Sequence, residues 1–347
     1  MVEPDPDLWP RTLQRLVSHE SLSTQEAADA MRAIMSGDVT PGQVGGFLMA
    51  LRTKGETVDE LDGLARTVLE FANPVTAPAP VLDTCGTGGD RSGTFNISTL
   101  SAIVVAGAGV PVAKHGNRAA SSHCGSADLL EALGVQIDLG ADGVQRCLAD
   151  AGIGFMFAPV FHPAFRHAGP VRGELGVPTS FNFLGPLTNP ARPAAQVVGV
   201  SDARMLPLMA EVLARRGIRA KLFRGEDGLD ELTTTGASAV LDVRDGEVVP
   251  SRLDPTDHGI PPASRDDLRA GDPEESARVA RAVLAGEPGP KRDVVVLNAG
   301  AALEVAGIAG DLEEGIALAR AAIDDGKAST TLDRWVEVSM AASKDDG

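Results

Sequence analysis

The 347-residue chain reads as an α/β protein. A small N-terminal α-helical domain precedes a larger α/β domain with a mostly parallel central sheet flanked by helices. Three observations predict this. Residues 1–73 carry helix punctuation and no strand pattern. The segment "NPVTAPAP" (73–80) is a proline-rich linker. Beyond it, short β-rich runs alternate with helical patterns, the order that builds parallel sheets.

Each early helix has its own start and stop. Trp9–Val17 is a short amphipathic candidate. Ser23-x-x-Glu26 is a capping box opening a helix to about Ser36, with Gly37 as its stop. Thr40 caps a third, with Pro41 in its first turn, ending near Lys54-Gly55. Thr57-x-x-Glu60 opens a fourth, ending before Asn73-Pro74. After the linker, Val81–Thr84, Val110–Ala113, Gly154–Phe157, Gln196–Val200, Ala220–Phe223 and Ala239–Val243 are strand candidates. Thr99–Gly107, Ser126–Leu133, Asp142–Ala151, Ala203–Arg215 and Glu274–Ala285 read as helices. Residues 252–275 read as a long surface loop, and Asp311–Lys327 and Leu332–Ala342 as closing helices.

Composition removes several function classes. There are 48 acids against 31 bases, a formal charge of −17, which opposes non-specific binding to nucleic acid or an anionic membrane. With no Tyr, two Trp and ten Phe, base-stacking platforms are not expected. The start "MVEPDPDLWP" lacks the apolar core of a signal peptide, and the apolar run Ile103–Ala113 is too short to span a bilayer. Cys85, Cys124 and Cys147 show no C-x-x-C spacing and read as reduced and structural, as in a cytoplasmic protein.

Four stretches could carry chemistry. "DTCGTGGDRSGTFNIST" (83–99) runs from a strand into a helix. Gly86, Gly88 and Gly89 let backbone N–H groups face a ligand, and such nests beside a helix N-terminus bind phosphate. Arg91 stands where G-x-G-x-x-G needs its third glycine, and no Lys-Ser/Thr follows Gly93, so the dinucleotide and Walker patterns both fail. A tight turn is the plain alternative; Asp90, Asn96 and Ser98 tip the balance, because a turn does not need their hydroxyl and metal-binding groups. "KHGNR" (114–118) sets Lys114, His115, Asn117 and Arg118 at a strand end, where α/β sheets bind ligands. The alternative there is a solvated basic turn. Ser121, Ser122 and Ser126 follow, the last equally readable as a helix cap. In residues 161–190, Arg172 matters if a substrate carboxylate needs a two-point clamp; otherwise it is a solvated arginine. Asp230-Glu231 could hold Mg²⁺ through oxygen and water, or be a plain acidic loop. As neighbours in an extended segment their side chains point apart, which suits two metal-bound waters better than one chelate.

With these residues in view, the chain resembles the anthranilate phosphoribosyltransferase family of tryptophan biosynthesis, over nearly its whole length. "GTGGD" with "NIST", "KHGNR", "GSADLLEALG", "HPAFRHAGPVR", "FNFLGPLTNP" and "GLDELTTTG" occur in the family's order. The resemblance implies a nucleoside phosphorylase type II-like fold, with a helical domain (1–73 and a returning segment near 165–190) and a phosphoribosyl-binding α/β domain (74–164 and 191–347). The site would lie in the cleft between them, and members pair as homodimers through the helical domain.

The implied reaction joins anthranilate to phosphoribosyl pyrophosphate and releases pyrophosphate, with two Mg²⁺ per site and no covalent intermediate. Gly86, Gly88, Gly89, Asp90, Thr94, Asn96, Ser98, Thr99, Lys114, Asn117 and Ser126 would meet the donor. Gly86, His115, Asn117, His162 and Arg172 would meet anthranilate, and Ser98, Asp230 and Glu231 the metal. Lys114 with Arg118 would offset part of the donor's charge. Many relatives have Gly where Arg91 stands, and Phe165 sits where a larger polar aromatic is sometimes found. The alternatives are a pyrimidine nucleoside phosphorylase-like enzyme and a nucleic-acid-binding paralogue of the same fold.

Overall fold

The computed structural model describes residues 7–119 and 124–345; Ser121 and Ser122 lie outside the described residues. The chain opens with α1 (Leu8–Val17), α2 (Thr24–Ser36), α3 (Pro41–Lys54) and α4 (Val58–Glu70). Next come β1 (Leu82–Gly86), α5 (Ile97–Gly107), β2 (Val112–Gly116), α6 (Ser126–Leu133), α7 (Ala141–Ala151) and β3 (Ile153–Phe157). Three short helices follow: α8 (Ala158–Phe161), α9 (Gly169–Leu175) and α10 (Phe181–Leu184). The rest is β4 (Ala195–Gly199), α11 (Met205–Arg215), β5 (Arg219–Gly225), β6 (Ser238–Arg244), β7 (Glu247–Leu253), α12 (Pro273–Leu284), α13 (Pro290–Ala306), α14 (Leu312–Asp324) and α15 (Lys327–Asp345).

The chain forms two compact units. One joins residues up to Asn73 with His162–Thr188. Its helices start where the side chains say they should. Ser23, Thr40 and Thr57 each accept from the backbone N–H three residues on, and Glu26, Gln43 and Glu60 reach back to the cap. Glu60 has a second task. It is fully buried, takes the Leu22 N–H at 2.8 Å and pairs with the buried Lys54 ammonium at 2.9 Å. The returning segment packs α9 on α3 and buries Val171 and Phe181. Ser180 Oγ donates to Glu56 at 3.0 Å in the same unit. Losing one cap should be felt: Thr40→Ala is expected to cost about 1 kcal/mol, read as an earlier urea midpoint of the helical unit.

The other unit holds a seven-stranded sheet in the order β3-β2-β1-β4-β5-β6-β7. The first five strands are parallel; β6 and β7 are antiparallel. The chain winds one way from β1 through β2 and β3 and the other way from β4 onward. The switch point therefore lies between β1 and β4, which end in register at Gly86 and Gly199. In open α/β sheets the crevice at that point, beyond the carboxyl ends, is where ligands bind.

Five elements escape the sequence reading: the short helices α8, α9 and α10, strand β7 and helix α13. Strand β7 pairs with β6 through an Asp245-Gly246 turn with φ of 53° and 80°, the type I′ geometry of tight hairpins. Helix α13, seventeen residues long, is buried on nearly every side and packs on α5, α14 and β4. Residues 252–275 are also not simply a surface loop. Leu253, Ile260 and Leu268 are buried, and Leu268 O accepts from Phe95 N at 3.0 Å. Those apolar side chains draw the segment onto the core beside the glycine-rich loop.

Candidate active site

The glycine-rich loop crosses the switch point. Thr87 N donates to Gly199 O at 2.9 Å and Ser201 Oγ to Gly88 O at 2.7 Å, tying the near limb to the end of β4. A Thr94–Arg269 bridge and the Phe95–Leu268 bond tie the far limb. Between these ties Gly88, Gly89 and Gly93 have φ of 70°, 81° and 69°. Neighbours leave open space around Gly88 and Gly89, so backbone conformation is what asks for glycine there. Arg91 adopts φ of 57° with an exposed side chain, a left-handed conformation that glycine takes without strain. An L side chain there costs roughly 1–2 kcal/mol.

The loop roofs a cavity of about 560 Å³, also lined by Ser98, Lys114, His115, Asn117, Ser126, Asp230 and Glu231. Asp230 Oδ2 accepts from Gly88 N at 2.6 Å; Glu231 Oε1 accepts from Ser98 N at 3.1 Å, in the first turn of α5. The two carboxyls thus turn to different donors, as neighbours in an extended segment must. Both are buried. Burial pushes Asp230 up to about 7, with Asp90 adding to the shift, and Glu231 up to about 8, with Asp230 adding. Lys114 is 2% exposed and donates to Thr84 O at 2.5 Å and Ser98 Oγ at 3.3 Å. Burial pulls its pKa down, against the attraction of Asp83 and Glu231. Asp90 Oδ1 takes the Ser92 N–H at 3.1 Å, while its buried Oδ2 meets no donor among the described residues.

Among the described residues lining this cavity, Asp90, Asp230 and Glu231 therefore outnumber the Lys114 ammonium, and their donors are all oxygen. That set fits a hard divalent cation such as Mg²⁺. Among the described residues no three acidic, His or Cys groups converge tightly enough to chelate one ion. Water must then complete any coordination shell.

Other site candidates fall as follows. Thr99 is almost wholly buried, and neither its hydroxyl nor Asn96 Oδ1 finds a hydrogen-bond partner among the described residues. Ser126 is not the cap of α6. Gly125 is, and Asp128 accepts its N–H at 2.8 Å, while Ser126 Oγ donates to Asn117 O. Arg118 is not a spare cation. Its guanidinium pairs with Asp128 at 3.1 Å and with Glu131, so its charge is already neutralised. Burial pushes the Cys85 thiol up, away from reactivity.

His162 and Arg172 belong to the helical unit and form a cluster of their own. His162 stacks on Phe165 (5.1 Å, 19°), Phe165 meets Phe181 edge-on (5.5 Å), and the Arg172 guanidinium lies 5.1 Å over Phe181. Burial lowers the pKa of Arg172, and no carboxylate is paired with it among the described residues. An aromatic face holds this fork in place of an acid.

Comparison with known proteins identifies the family and agrees with the fold. The model of a "Glycosyl transferase family, a/b domain" matches residues 78–329, and that of a "Glycosyl transferase family, helical bundle domain" matches residues 10–72. An anthranilate phosphoribosyltransferase of Salinispora arenicola is 54% identical over 342 residues, covering 96% of this chain and 97% of that one. The chain belongs to the anthranilate phosphoribosyltransferase family. An anthranilate phosphoribosyltransferase of Acidothermus cellulolyticus is 55% identical over 344 residues, covering 97% of each chain.

Solved anthranilate phosphoribosyltransferases agree. The Thermus thermophilus structure superposes with a TM-score of 0.90 at 46% identity, covering 95% of this chain and 99% of its own. The Saccharomyces cerevisiae structure in complex with PRPP and Mg superposes with a TM-score of 0.89 at 28% identity, covering 97% and 99%. Membership in the anthranilate phosphoribosyltransferase family sets aside the pyrimidine nucleoside phosphorylase alternative.

Proposed function

We propose that the chain transfers the phosphoribosyl group of phosphoribosyl pyrophosphate to the amino nitrogen of anthranilate, releasing pyrophosphate. Family membership supports the reaction. The observation that carries the site is the pairing, in one cavity, of a left-handed glycine loop with two buried carboxyls at the sheet's switch point. The loop from Gly86 to Asp90 cradles the donor's pyrophosphate and ribose, with the Gly89 and Asp90 amides to donate, since Thr87 N and Gly88 N are engaged by Gly199 O and Asp230 Oδ2. Thr94, Asn96, Ser98, Thr99, Asn117 and Ser126 supply further polar contacts to the donor. Lys114 supplies positive charge from beneath it.

Ser98, Asp230 and Glu231 hold Mg²⁺, two ions per site, largely through water. Bound Mg²⁺ offsets donor charge and the charge that gathers on the leaving pyrophosphate. The scale matters in so acidic a protein: two unit charges 4 Å apart interact by roughly 4 kcal/mol near a protein surface. As the C1–O bond breaks, the electron pair leaves with pyrophosphate, and backbone N–H groups aimed at it stabilise it. The sugar carbon becomes cationic and the neutral aniline nitrogen attacks it, then sheds a proton. The nitrogen is already uncharged at pH 7, so the step requires no strong base and no enzyme nucleophile.

Arg172 receives the anthranilate carboxylate, with Gly86, His115, Asn117 and His162 lining its path. The same reading includes a homodimer formed through the helical unit and a cytoplasmic setting. Three buried, unpaired cysteines are in keeping with the latter. No helix among the described residues is long and apolar enough to cross a membrane.

The direct test follows the loss of anthranilate fluorescence with donor and Mg²⁺ present; no loss, at any enzyme concentration, overturns the reading. Arg172→Ala is expected to raise the anthranilate KM about tenfold or more, the worth of a charge-assisted bond, and to leave the donor KM within a factor of two. Equal effects on both substrates would remove Arg172 from the carboxylate.

A further inference from the structure

The proposed metal-holding pair sits on an irregular segment between β5 and β6, and something must hold that segment still. We propose that Asn298, in the middle of α13, is the positioning residue for Asp230 and Glu231. This rests on the reading that the pair holds Mg²⁺.

Asn298 is 2% exposed. Its Oδ1 accepts from Leu232 N at 3.0 Å, and its Nδ2 donates to Leu232 O at 2.9 Å and to Val294 O at 2.9 Å. One amide therefore grips both backbone groups of the residue next to Glu231, as a neighbouring strand would. Only one orientation of the amide serves, because an N–H needs an acceptor and a C=O a donor. The Leu232 side chain is fully buried, so water does not stand in for the amide.

On the other side Asp230 is pressed against the two strand ends: a Cβ on Gly199 would come within 1.6 Å of Asp230 O, and one on Gly86 within 2.4 Å of Asp230 Oδ2. Asp227 braces the flanks, taking the Thr233 hydroxyl at 3.0 Å and the Leu229 N–H at 3.1 Å. The strand ends block movement inward, and Asn298 blocks movement outward and rotation about the segment. Groups that orient metal-binding side chains in this way typically set affinity by about 10–100-fold.

The experiment titrates the full-length protein, without substrates, with Mn²⁺ by electron paramagnetic resonance and with Mg²⁺ by calorimetry. Asn298→Leu, of similar volume and without the amide, is expected to weaken Mn²⁺ about tenfold or more and to raise the Mg²⁺ concentration for half-maximal activity in step. Its anthranilate KM stays within twofold. Leu297→Ala, at the fully buried neighbouring position of α13, lowers Tm yet keeps Mn²⁺ affinity within twofold. Asn298→Asp keeps the acceptor for the Leu232 N–H and loses the donor; it is expected to weaken Mn²⁺ measurably, and it serves if the leucine variant does not fold. Wild-type Mn²⁺ affinity in the folded Asn298 variants, or an equal loss in Leu297→Ala, overturns the positioning role. Unchanged Mn²⁺ affinity in Asp230→Asn with Glu231→Gln overturns the metal reading itself, and the role of Asn298 with it.

Discussion

Asp230→Asn with Glu231→Gln is expected to lower kcat/KM by about a hundredfold or more, the scale on which removing charge stabilisation acts, and at the same time to make the metal-free protein less sensitive to alkali. The two effects share one cause. Both carboxyls are buried, and their folded-state values lie at about 7 and about 8, above those of an unfolded chain. A raised folded value means that the protonated groups favour the folded state at low pH. That contribution is complete below the unfolded values and is lost as pH rises through about 7 and 8, where the native protein must bury the charges.

The amides still accept from Gly88 N and Ser98 N but carry no charge to bury. In metal-free buffer the wild-type Tm should therefore fall between pH 5 and pH 8 more steeply than that of the double variant. Mg²⁺ at pH 8 should raise the wild-type Tm and leave the variant where it was. Parallel pH profiles, or the same Mg²⁺ shift in both proteins, would show that the pair does not bind the ion.

Gly199→Ala should be nearly as damaging to activity, by geometry alone. Its Cβ would lie 1.6 Å from Asp230 O and 2.3 Å from Asp230 C, both backbone atoms that no rotamer change can move. Either β4 or the Asp230 segment must shift. The segment is the softer element, since β4 is paired on both sides. A displacement of about 1 Å at reacting groups costs roughly a hundredfold, so kcat/KM should fall by at least that, with a stability loss of about 1–3 kcal/mol for overpacking. Gly86→Ala meets the Asp230 side chain instead, which can turn away, so it should retain more fold stability while losing Mg²⁺ affinity. Near-normal turnover in Gly199→Ala would mean that the position of the pair does not control the reaction.

The local conformation of the loop and of the helix ends was open to reading because it depends on neighbouring residues. Capping boxes, the Gly37 stop and the glycine run each act within a few residues, and the structure has them where the sequence puts them. Strand β7 was not read because most of it is exposed and it shows no alternation, although Asp245-Gly246 marks its turn. Helix α13 was not read because it is apolar on all sides and shows no 3.6-residue stripe. Arg118 looked available in sequence, since nothing in "KHGNR" reveals that Asp128 and Glu131 return to it from the next helix.

By itself, then, the sequence determined the helical start, the α/β character and, through six ordered motifs, the family. Only the tertiary structure decided that β1 and β4 meet at the switch point, that Gly199 and Gly86 form a wall against Asp230, and that Asn298 grips Leu232 from sixty-six residues away. Short-range hydrogen bonding and backbone conformation are written in neighbouring residues. Strand order, burial and the pairing of distant charges arise only when the chain folds back on itself, and those are what turn Asp230 and Glu231 from an acidic loop into a buried pair.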